Sequence, residues 1–392
     1  MVGGRCVATG CLVAAVLLVT SSVMAQTRCS VCGGSHASAE KALPYLSGHV
    51  DARIHADDIH DAPEEGNEIE WAKAHMHVDL GLYLTEWFRI DGSLKFEEMH
   101  DHGGHDHGGG GHHEYEGVDR FFEDHLAMIE ELRATFSGDR WELFAGKFTP
   151  LTGLNMHHFP GFYGYEVPEE YSLLDRVGVG GAYEVETESL GTFHIELSTF
   201  MADTTFLNEG VGEDRPVPHS DNHGGLANTG DLSSFALALE AFGWYANVGD
   251  TFHELSGIVS YAHQAQGDGV DEDEHADEDR ASVGLLYVGT LSEDLSVRMV
   301  AETLSANSFG GMESHDTVFC TFGAGVYWKG WELGGTYTDI EGDEEEDGHH
   351  AQASVGYTFD SGFGVHVGIR DAESEGERRQ SHGLMLSYHA SF

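Results

Sequence analysis

The chain has 392 residues, and 68 acidic against 19 basic residues give it a formal net charge of −49. So large a negative excess argues against nucleic acid as a partner and favours cations or cationic solutes. Disorder alone would accommodate this charge, but 40% of the residues are hydrophobic, and many alternate with polar ones, which indicates a chain that folds.

The first 25 residues have the pattern of a secretory signal peptide. Arg5 precedes an apolar stretch from Cys11 to Val19, and small residues lead up to a cleavage site after Ala25. The stretch is too short for a membrane-spanning helix. We therefore expect the mature protein to begin near Gln26 and to leave the cytoplasm.

Residues 26–47 are predicted to form a short segment before the first strand. They contain Cys29 and Cys32 in a C-x-x-C arrangement, with His36 close by. Such a pair could bind a metal or exchange disulfides, but neither a second ligand pair nor a βαβ pattern accompanies it. A local disulfide, formed outside the cytoplasm, fits the sequence better.

Polar and apolar residues alternate along most of the remaining chain, which predicts about sixteen β-strands. The last strand is the clearest, because Leu384, Leu386 and Tyr388 share one face while Met385 and Ser387 share the other. The predicted segments are 48–56, 74–84, 87–98, 124–136, 140–149, 174–186, 190–202, 232–247, 252–265, 280–291, 294–305, 316–328, 331–341, 349–359, 361–371 and 384–392.

The connections between these segments alternate in length. Short turns at 137–139, 292–294, 329–330 and 360–362 alternate with long segments rich in Asp, Glu, His and Gly. Antiparallel pairing would place every short turn at one end of the sheet and every long segment at the other. This asymmetry is typical of a transmembrane β-barrel, whereas a soluble β-sandwich has no reason to separate its loops by length.

Two segments resemble those of a known family. The carboxy-terminal strand, which ends at Phe392, resembles the terminal signal of Gram-negative outer-membrane proteins, whose final aromatic residue is read by the barrel assembly machinery. Residues 143–150, LFAGKFTP, are similar to the strand that enters the third external loop of sixteen-stranded porins, especially siderophore-type porins. The resemblance covers about residues 48–392.

This resemblance implies an all-β protein, a transmembrane antiparallel β-barrel of the bacterial outer membrane with short periplasmic turns and long acidic external loops. Residues 26–47 would then lie in the periplasm. We expect no enzymatic activity, because the sequence contains neither a G-x-S-x-G elbow nor a nucleotide-binding glycine loop in a strand–helix context. No cofactor is required.

In such porins the third external loop commonly folds inward and narrows the pore. By strand counting, that loop comprises residues 150–173. Its carboxylates would form an acidic constriction that attracts cations, or the loop is an ordinary solvated one held by its aromatic residues. The candidates for the constriction are Glu166, Glu169, Glu170, His157 and His158.

Four arginines lie within or beside predicted strands, namely Arg133, Arg176, Arg298 and Arg370. A charge that faces lipid near the midplane costs about 2–4 kcal/mol, so these side chains must face the lumen or an interface. Arg133 and Arg298 could oppose the acidic loop across the pore. Alternatively, these arginines neutralise lumenal carboxylates such as Glu131 and Glu302.

The second external loop, residues 99–117, is rich in imidazoles and carboxylates, which bind Zn²⁺, Cu²⁺ or Ni²⁺. Its candidate ligands are His100, His102, His105, His107, His112, His113, Asp101 and Asp106. We predict weak capture of a divalent metal such as zinc, because no fixed ligand set stands out. A hydrated acidic surface and pH sensing by the imidazoles are the alternatives. Thinner clusters occur at 55–61, 219–223, 271–275 and 349–350.

Together these features predict passive diffusion of small hydrophilic solutes, with a bias to cations, through one barrel embedded in outer-membrane lipid. Barrels of this size often form homotrimers in the family that the chain resembles. The alternative function is a surface metal-binding or adhesive protein in which the barrel is only an anchor. Channel conductance separates the two, whereas metal affinity does not.

Overall fold

The computed structural model describes residues 42–62, 68–98, 119–187, 190–208, 210, 225–267, 275–342, 347–374 and 377–392. These residues form sixteen strands of eight residues or more and one two-residue strand, Arg120–Phe121. Within this part of the chain no helix is long and apolar enough to cross a membrane.

The sixteen strands are numbered here in chain order. They are β1 Tyr45–Asp61, β2 Glu70–Thr85, β3 Phe88–Glu98, β4 His125–Ser137, β5 Trp141–Phe148, β6 Arg176–Thr187, β7 Gly191–Ala202, β8 Ser234–Val248, β9 Thr251–Gln264, β10 Glu278–Ser292, β11 Leu295–Asn307, β12 Thr317–Trp328, β13 Trp331–Gly342, β14 Gly348–Thr358, β15 Phe363–Ser374 and β16 Glu377–Ser391.

Each long strand pairs antiparallel with its neighbours in sequence, and β1 also pairs with β16. At this seam His49 lies opposite Ser391, and Asp51 lies opposite His389. The seam closes the sheet, so the barrel has no edge of unpaired backbone groups, as hydrocarbon requires. The predicted sixteen-stranded antiparallel barrel is confirmed, and each predicted segment overlaps one strand.

The two faces of each strand differ as the alternation predicts. On β16, Leu384 and Leu386 are 43% and 47% exposed, whereas Met385 and Ser387 between and beside them are 7% and 3% exposed. The outer face is therefore apolar and points to lipid. The inner face carries the polar and charged side chains, so the lumen is where function must be sought.

Aromatic side chains gather on the outside at the end with the short turns. Seven of them are 44–59% exposed, namely Trp87, Trp141, Trp328, Trp331, Phe359, Phe363 and Phe392. Girdles of aromatic residues flank the apolar band of such barrels at the boundary between hydrocarbon and water. Their position marks one membrane surface at the level of the short turns.

Several strands extend beyond the predicted segments at the opposite end. β1 continues to Asp61, β2 begins at Glu70 and β16 begins at Glu377. The extensions of β1 and β16 contain few apolar residues, because a strand that has passed the hydrocarbon layer no longer needs a lipid-compatible face. Period-two hydrophobicity therefore marks only the membrane-embedded part of each strand.

Candidate functional site

The connection between β5 and β6, residues 149–175, folds into the barrel and is called the lumenal loop below. It contains a 3₁₀ turn, Met156–His158, and a short helix, α1, Glu166–Glu170. Its buried hydrophobic residues, all at most 4% exposed, are Phe159, Phe162, Tyr163, Val167, Tyr171 and Leu173. A solvated external loop would not bury such side chains.

The first half of the lumenal loop is held to the barrel wall through its backbone. The Gly153 amide donates to Ser260 Oγ of β9 at 3.2 Å, and the Phe162 amide donates to Ser354 Oγ of β14 at 2.9 Å. Gln352 Nε2 donates to the Pro160 carbonyl at 2.7 Å. Since each of these hydrogen-bond partners lies on a strand, this part of the loop packs against the inner wall of the barrel.

Tyr163 fixes the middle of the loop to the seam. Its hydroxyl donates a short hydrogen bond to Asp57 of β1, and its ring stacks on Phe162 at 4.0 Å between centroids. The Arg370 guanidinium of β15 lies 4.9 Å from the centroid of the same ring. Tyr163 is only 1% exposed, so the contact is part of the packed interior.

Glu166, a predicted constriction residue, is tied to the wall. Arg370 Nη1 donates to both of its carboxylate oxygens at 3.0 Å, and His350 Nε2 of β14 lies 3.0 Å from Oε2. Burial acts to raise the pKa of Glu166, but the charge of Arg370 and the His350 hydrogen bond outweigh it and hold that pKa far below its ordinary value. Glu166 is therefore an ionised anchor.

The other two glutamates of α1 lie in different surroundings. Glu169 Oε1 accepts from Lys95 Nζ of β3 at 2.7 Å, and the same ammonium lies 2.9 Å from Glu97. Glu170 is exposed to the lumen. Of the three predicted carboxylates, one is anchored, one is paired with a lysine of β3 and one is exposed, so an acidic constriction by all three stays a prediction.

The two predicted histidines lie in the 3₁₀ turn at the tip of the loop. The His157 amide donates to Asn155 Oδ1 at 2.9 Å, which caps the turn. His157 is exposed and His158 is half-buried. Burial, and then the charge of Arg298, lower the pKa of His158 to about 4, so this imidazole is neutral at neutral pH.

The four arginines all reach into the lumen, and each finds a different kind of partner. Arg133 Nε lies 2.9 Å from Glu131 Oε1, which is the predicted neutralisation. Arg298 Nη1 points to the His157 carbonyl at 3.4 Å. Arg176 Nη2 donates to the Gln264 side chain at 2.7 Å, and Arg370 holds Glu166 as described above.

Glu302 of β11, expected beside an arginine, instead accepts two hydrogen bonds from the lumenal loop. The donors are the Leu154 amide and the Tyr171 hydroxyl. Arg280 of β10 donates to the Tyr171 carbonyl. These contacts join the loop to a second part of the wall, which hydropathy could not indicate because the partners lie more than 100 residues apart in the chain.

Strands β2 to β4 carry a row of histidine–glutamate contacts on their inner face, which the sequence did not lead us to predict. His75 Nδ1 lies 3.3 Å from Glu97, and His77 Nδ1 lies 3.2 Å from Glu130. The two imidazole rings stack at 4.6 Å. His75 and His77 are two residues apart in a strand whose other face is apolar. This spacing could have predicted that both imidazoles face the lumen.

Carboxylates also line the lumen in the half of the barrel near the short turns. Each stands between outward-facing hydrophobic neighbours, as Glu196 does between Ile195 and Leu197, which are 40% and 53% exposed. Others placed in this way are Glu142, Glu184, Glu240 and Glu332. The strand alternation therefore turns them toward the water of the lumen.

Two predicted histidine clusters are divided by the strands on which they lie. His350 turns inward to Glu166, whereas its neighbour His349 faces outward, 3.5 Å from Asp371. In the same way His55 is 1% exposed, while His60 lies on the outside against His382. Consecutive residues of a strand point to opposite faces, so neither cluster forms one metal site.

Other predicted features lie outside the described residues. They are the signal peptide, the pair Cys29 and Cys32, and the metal-ligand candidates His100, His102, His105, His107, His112, His113, Asp101 and Asp106. These stay predictions.

Comparison with known proteins agrees with this architecture. A family model described as Gram-negative porin matches residues 12–391. A loop-deletion mutant of OmpT, an outer membrane protein of Vibrio cholerae, superposes with a TM-score of 0.50 at 12% identity, over 88% of this chain and 99% of that one. A search of curated proteins finds no match.

Two further solved structures are similar over the same share of the chain, 88%, and 99% of their own length. They are OccK1 (OpdK) of Pseudomonas aeruginosa, with a TM-score of 0.43 at 10% identity, and a BenF-like porin of Pseudomonas fluorescens, with a TM-score of 0.46 at 10% identity.

Proposed function

The chain belongs to the Gram-negative porins, and we propose that its channel prefers cations and that its histidine-rich external loop captures divalent metal ions. The family and the closed barrel make the protein an outer-membrane channel for small solutes. The preference for cations and the metal capture are the finer part of the proposal.

The observation that carries the cation preference is the set of lumenal carboxylates near the short turns. Glu184 and Glu196 lie 4.0 Å and 3.7 Å from the two ring nitrogens of His194, and among the described residues neither carboxylate forms an ion pair with a lysine or arginine. Carboxylates that face a narrow aqueous path raise the local concentration of cations and lower that of anions.

Basic residues act against this preference at the level of the lumenal loop. Arg298 is directed at a backbone carbonyl, whereas Lys95 is flanked by Glu97 and Glu169 and Arg133 by Glu131. Because most of these cations are paired with carboxylates, the negative charge of the wider lumen dominates the field that a permeating ion meets.

The measurement that tests selectivity is the reversal potential of the refolded mature protein in a planar bilayer under a salt gradient. We expect a cation-selective potential that decreases in Glu184→Gln/Glu196→Gln. Glu313→Gln, outside these strands, is the matched control and should leave the potential unchanged. An anion-selective wild-type channel would contradict the proposal.

Metal capture is supported by the composition of residues 99–117, which interleave six histidines with acidic residues and glycine. Zinc added from the external side should reduce the single-channel current at micromolar to millimolar concentration. Replacing the six histidines with serine should abolish this effect without changing the unblocked conductance. An unchanged zinc response in that variant would rule out capture by this loop.

The assembly proposed for the channel is a homotrimer in outer-membrane lipid, inserted through recognition of Phe392 by the barrel assembly machinery. OmpT of Vibrio cholerae has been solved in a trimer form. Mass measurement in detergent tests the trimer, and loss of membrane insertion after deletion of Phe392 tests the recognition.

A further inference from the structure

Three potential metal ligands meet on the lumenal face of the seam. They are His49 and Asp51 of β1 and His389 of β16, and one ligand atom from each lies within 4.8 Å of the other two. The sequence separates the two histidines by 340 positions, so only closure of the barrel brings them together.

The strand register explains why these side chains converge. His49 and Asp51 are two residues apart and therefore share one face of β1. His389 lies directly opposite Asp51 in the antiparallel pair, where side chains on the same face are closest. Two imidazoles and one carboxylate thus surround one point above the sheet.

We propose that His49, Asp51 and His389 bind a divalent transition-metal ion, such as Zn²⁺, at the lumenal seam between the first and last strands. Imidazole nitrogen and carboxylate oxygen are ligands that zinc prefers, and three protein ligands leave a fourth position for water. Bonds of about 2.1 Å place tetrahedral ligand atoms roughly 3.4 Å apart, so small side-chain rotations complete the site.

Neighbouring groups already orient the ligands. Arg53 Nε lies 2.6 Å from Asp51 Oδ1, which leaves Oδ2, the oxygen that contacts His389 Nδ1, to face the proposed ion. His49 Nδ1 lies 3.0 Å from Ser391 Oγ. Hydrogen bonds of this kind fix the rotation of ligand side chains and raise metal affinity.

Binding through Nδ1 would require the His389 tautomer that carries its hydrogen on Nε2. The Nδ1 lone pair and the Asp51 carboxylate oxygen would then both point to the ion. Since the ligands come from β1 and β16, a bound ion would link the first strand to the last and stabilise the closed barrel.

The test is residue-level chemical modification of the refolded wild-type protein. Diethyl pyrocarbonate, which acylates free imidazole, is applied with and without ZnCl₂, and each histidine is read by mass spectrometry. We expect zinc to decrease the modification of His49 and His389 at least about tenfold. Magnesium and calcium, which prefer oxygen ligands, should give no protection.

His253 is the internal control. It lies on β9 near the same end of the barrel and is hydrogen-bonded to Thr251 and Tyr287, at 2.8 Å and 2.7 Å. Its reactivity should not depend on zinc. Equal modification of His49 and His389 with and without zinc, up to about 100 µM, would overturn the proposal.

A second measurement links the site to the seam. Zinc should raise the temperature at which the wild-type barrel unfolds in detergent and should do the same in His253→Ala, but not in His389→Ala. Protection confined to histidines of residues 99–117 would overturn the seam site and leave the proposed capture by that loop intact.

Discussion

Two parts of the inner wall carry similar charged residues but use them differently. The anchoring wall, strands β14–β16 with β1, directs its polar side chains at the lumenal loop, as Arg370 does at Glu166 and Asp57 at Tyr163. The ladder wall, strands β2–β5, pairs its charges largely within itself, as Arg89 does with Asp91 and Glu142.

The difference shows that a charge in a barrel lumen has two distinct uses. On the anchoring wall a charged group is enclosed by the loop and acts as a structural contact. On the ladder wall a charged group pairs mainly with other groups of the same wall and contributes to the field along the solute path. Substitutions on the first wall should therefore change stability, and those on the second should change selectivity.

The largest effect is expected from Arg370→Ala on the anchoring wall. The substitution leaves the Glu166 carboxylate, 20% exposed, without its guanidinium, and loss of one partner of a buried pair costs about 3 kcal/mol. Urea unfolding of the refolded barrel measures the loss of stability. A larger single-channel conductance would indicate that the loop has left the lumen. Wild-type values for both would contradict the anchoring role.

Arg378→Ala is the matched control for this substitution. Arg378 also holds a carboxylate through two hydrogen bonds, both 2.7 Å to Asp371, but its side chain is 55% exposed. Water replaces the lost contact there, so both unfolding and conductance should stay close to wild type.

A smaller loss of stability is expected from Tyr163→Phe. The Asp57 carboxylate loses its hydroxyl donor while the packing of the ring is kept, which costs about 1–3 kcal/mol for a buried acceptor. Urea unfolding is again the measurement. Tyr337→Phe is the control, since its hydroxyl donates to Asp339 at 3.3 Å on the exposed outer face; equal losses in the two variants would argue against a buried anchor.

On the ladder wall, substitution of either partner of one ion pair should shift selectivity in opposite directions. Arg133→Gln leaves Glu131 uncompensated and should raise the cation-to-anion permeability ratio about twofold, while Glu131→Gln should lower it by a similar factor, with screening over roughly 10 Å limiting both. Reversal potentials provide the measurement. Shifts of the same sign would show that the pair does not border the solute path.

The smallest effect is expected from Arg298→Ala. Its contact with the His157 carbonyl is long, 3.4 Å, so the free energy of unfolding should fall by less than about 1 kcal/mol. Cation preference should rise slightly, because one lumenal positive charge is removed. A loss as large as that of Arg370→Ala would place Arg298 among the anchors.

The sequence predicted the barrel well because one physical rule acts on every strand. Lipid on one side and water on the other impose a period of two, and short turns at one end fix the order of strands. Counting strands by the same rule located the third external loop, predicted at 150–173 and observed at 149–175, whereas its inward fold was implied by the resemblance to porins. The period of two did not predict the strand ends near Asp61 and Glu377, because a strand with water on both sides needs no apolar face.

The contacts between the lumenal loop and the strands could not be predicted from the sequence, because they depend on which strands the loop approaches inside the barrel. Glu166 and Arg370 are separated by 204 positions, and their meeting requires the path of the loop as well as the strand register. Clusters that are compact in sequence, such as His349 and His350, were divided by the strands. Among the described residues, the three potential ligands that do meet, His49, Asp51 and His389, come from opposite ends of the chain.

The pairing of β1 with β16 also determines when the barrel can be finished. The first strand waits for a partner about 340 residues away, and until β16 arrives the sheet presents two open edges that hydrocarbon does not tolerate. Contacts of such long range make folding slow and leave the incomplete chain prone to aggregation. The closed barrel can therefore form only once the final residues of the chain are available to pair with the first strand.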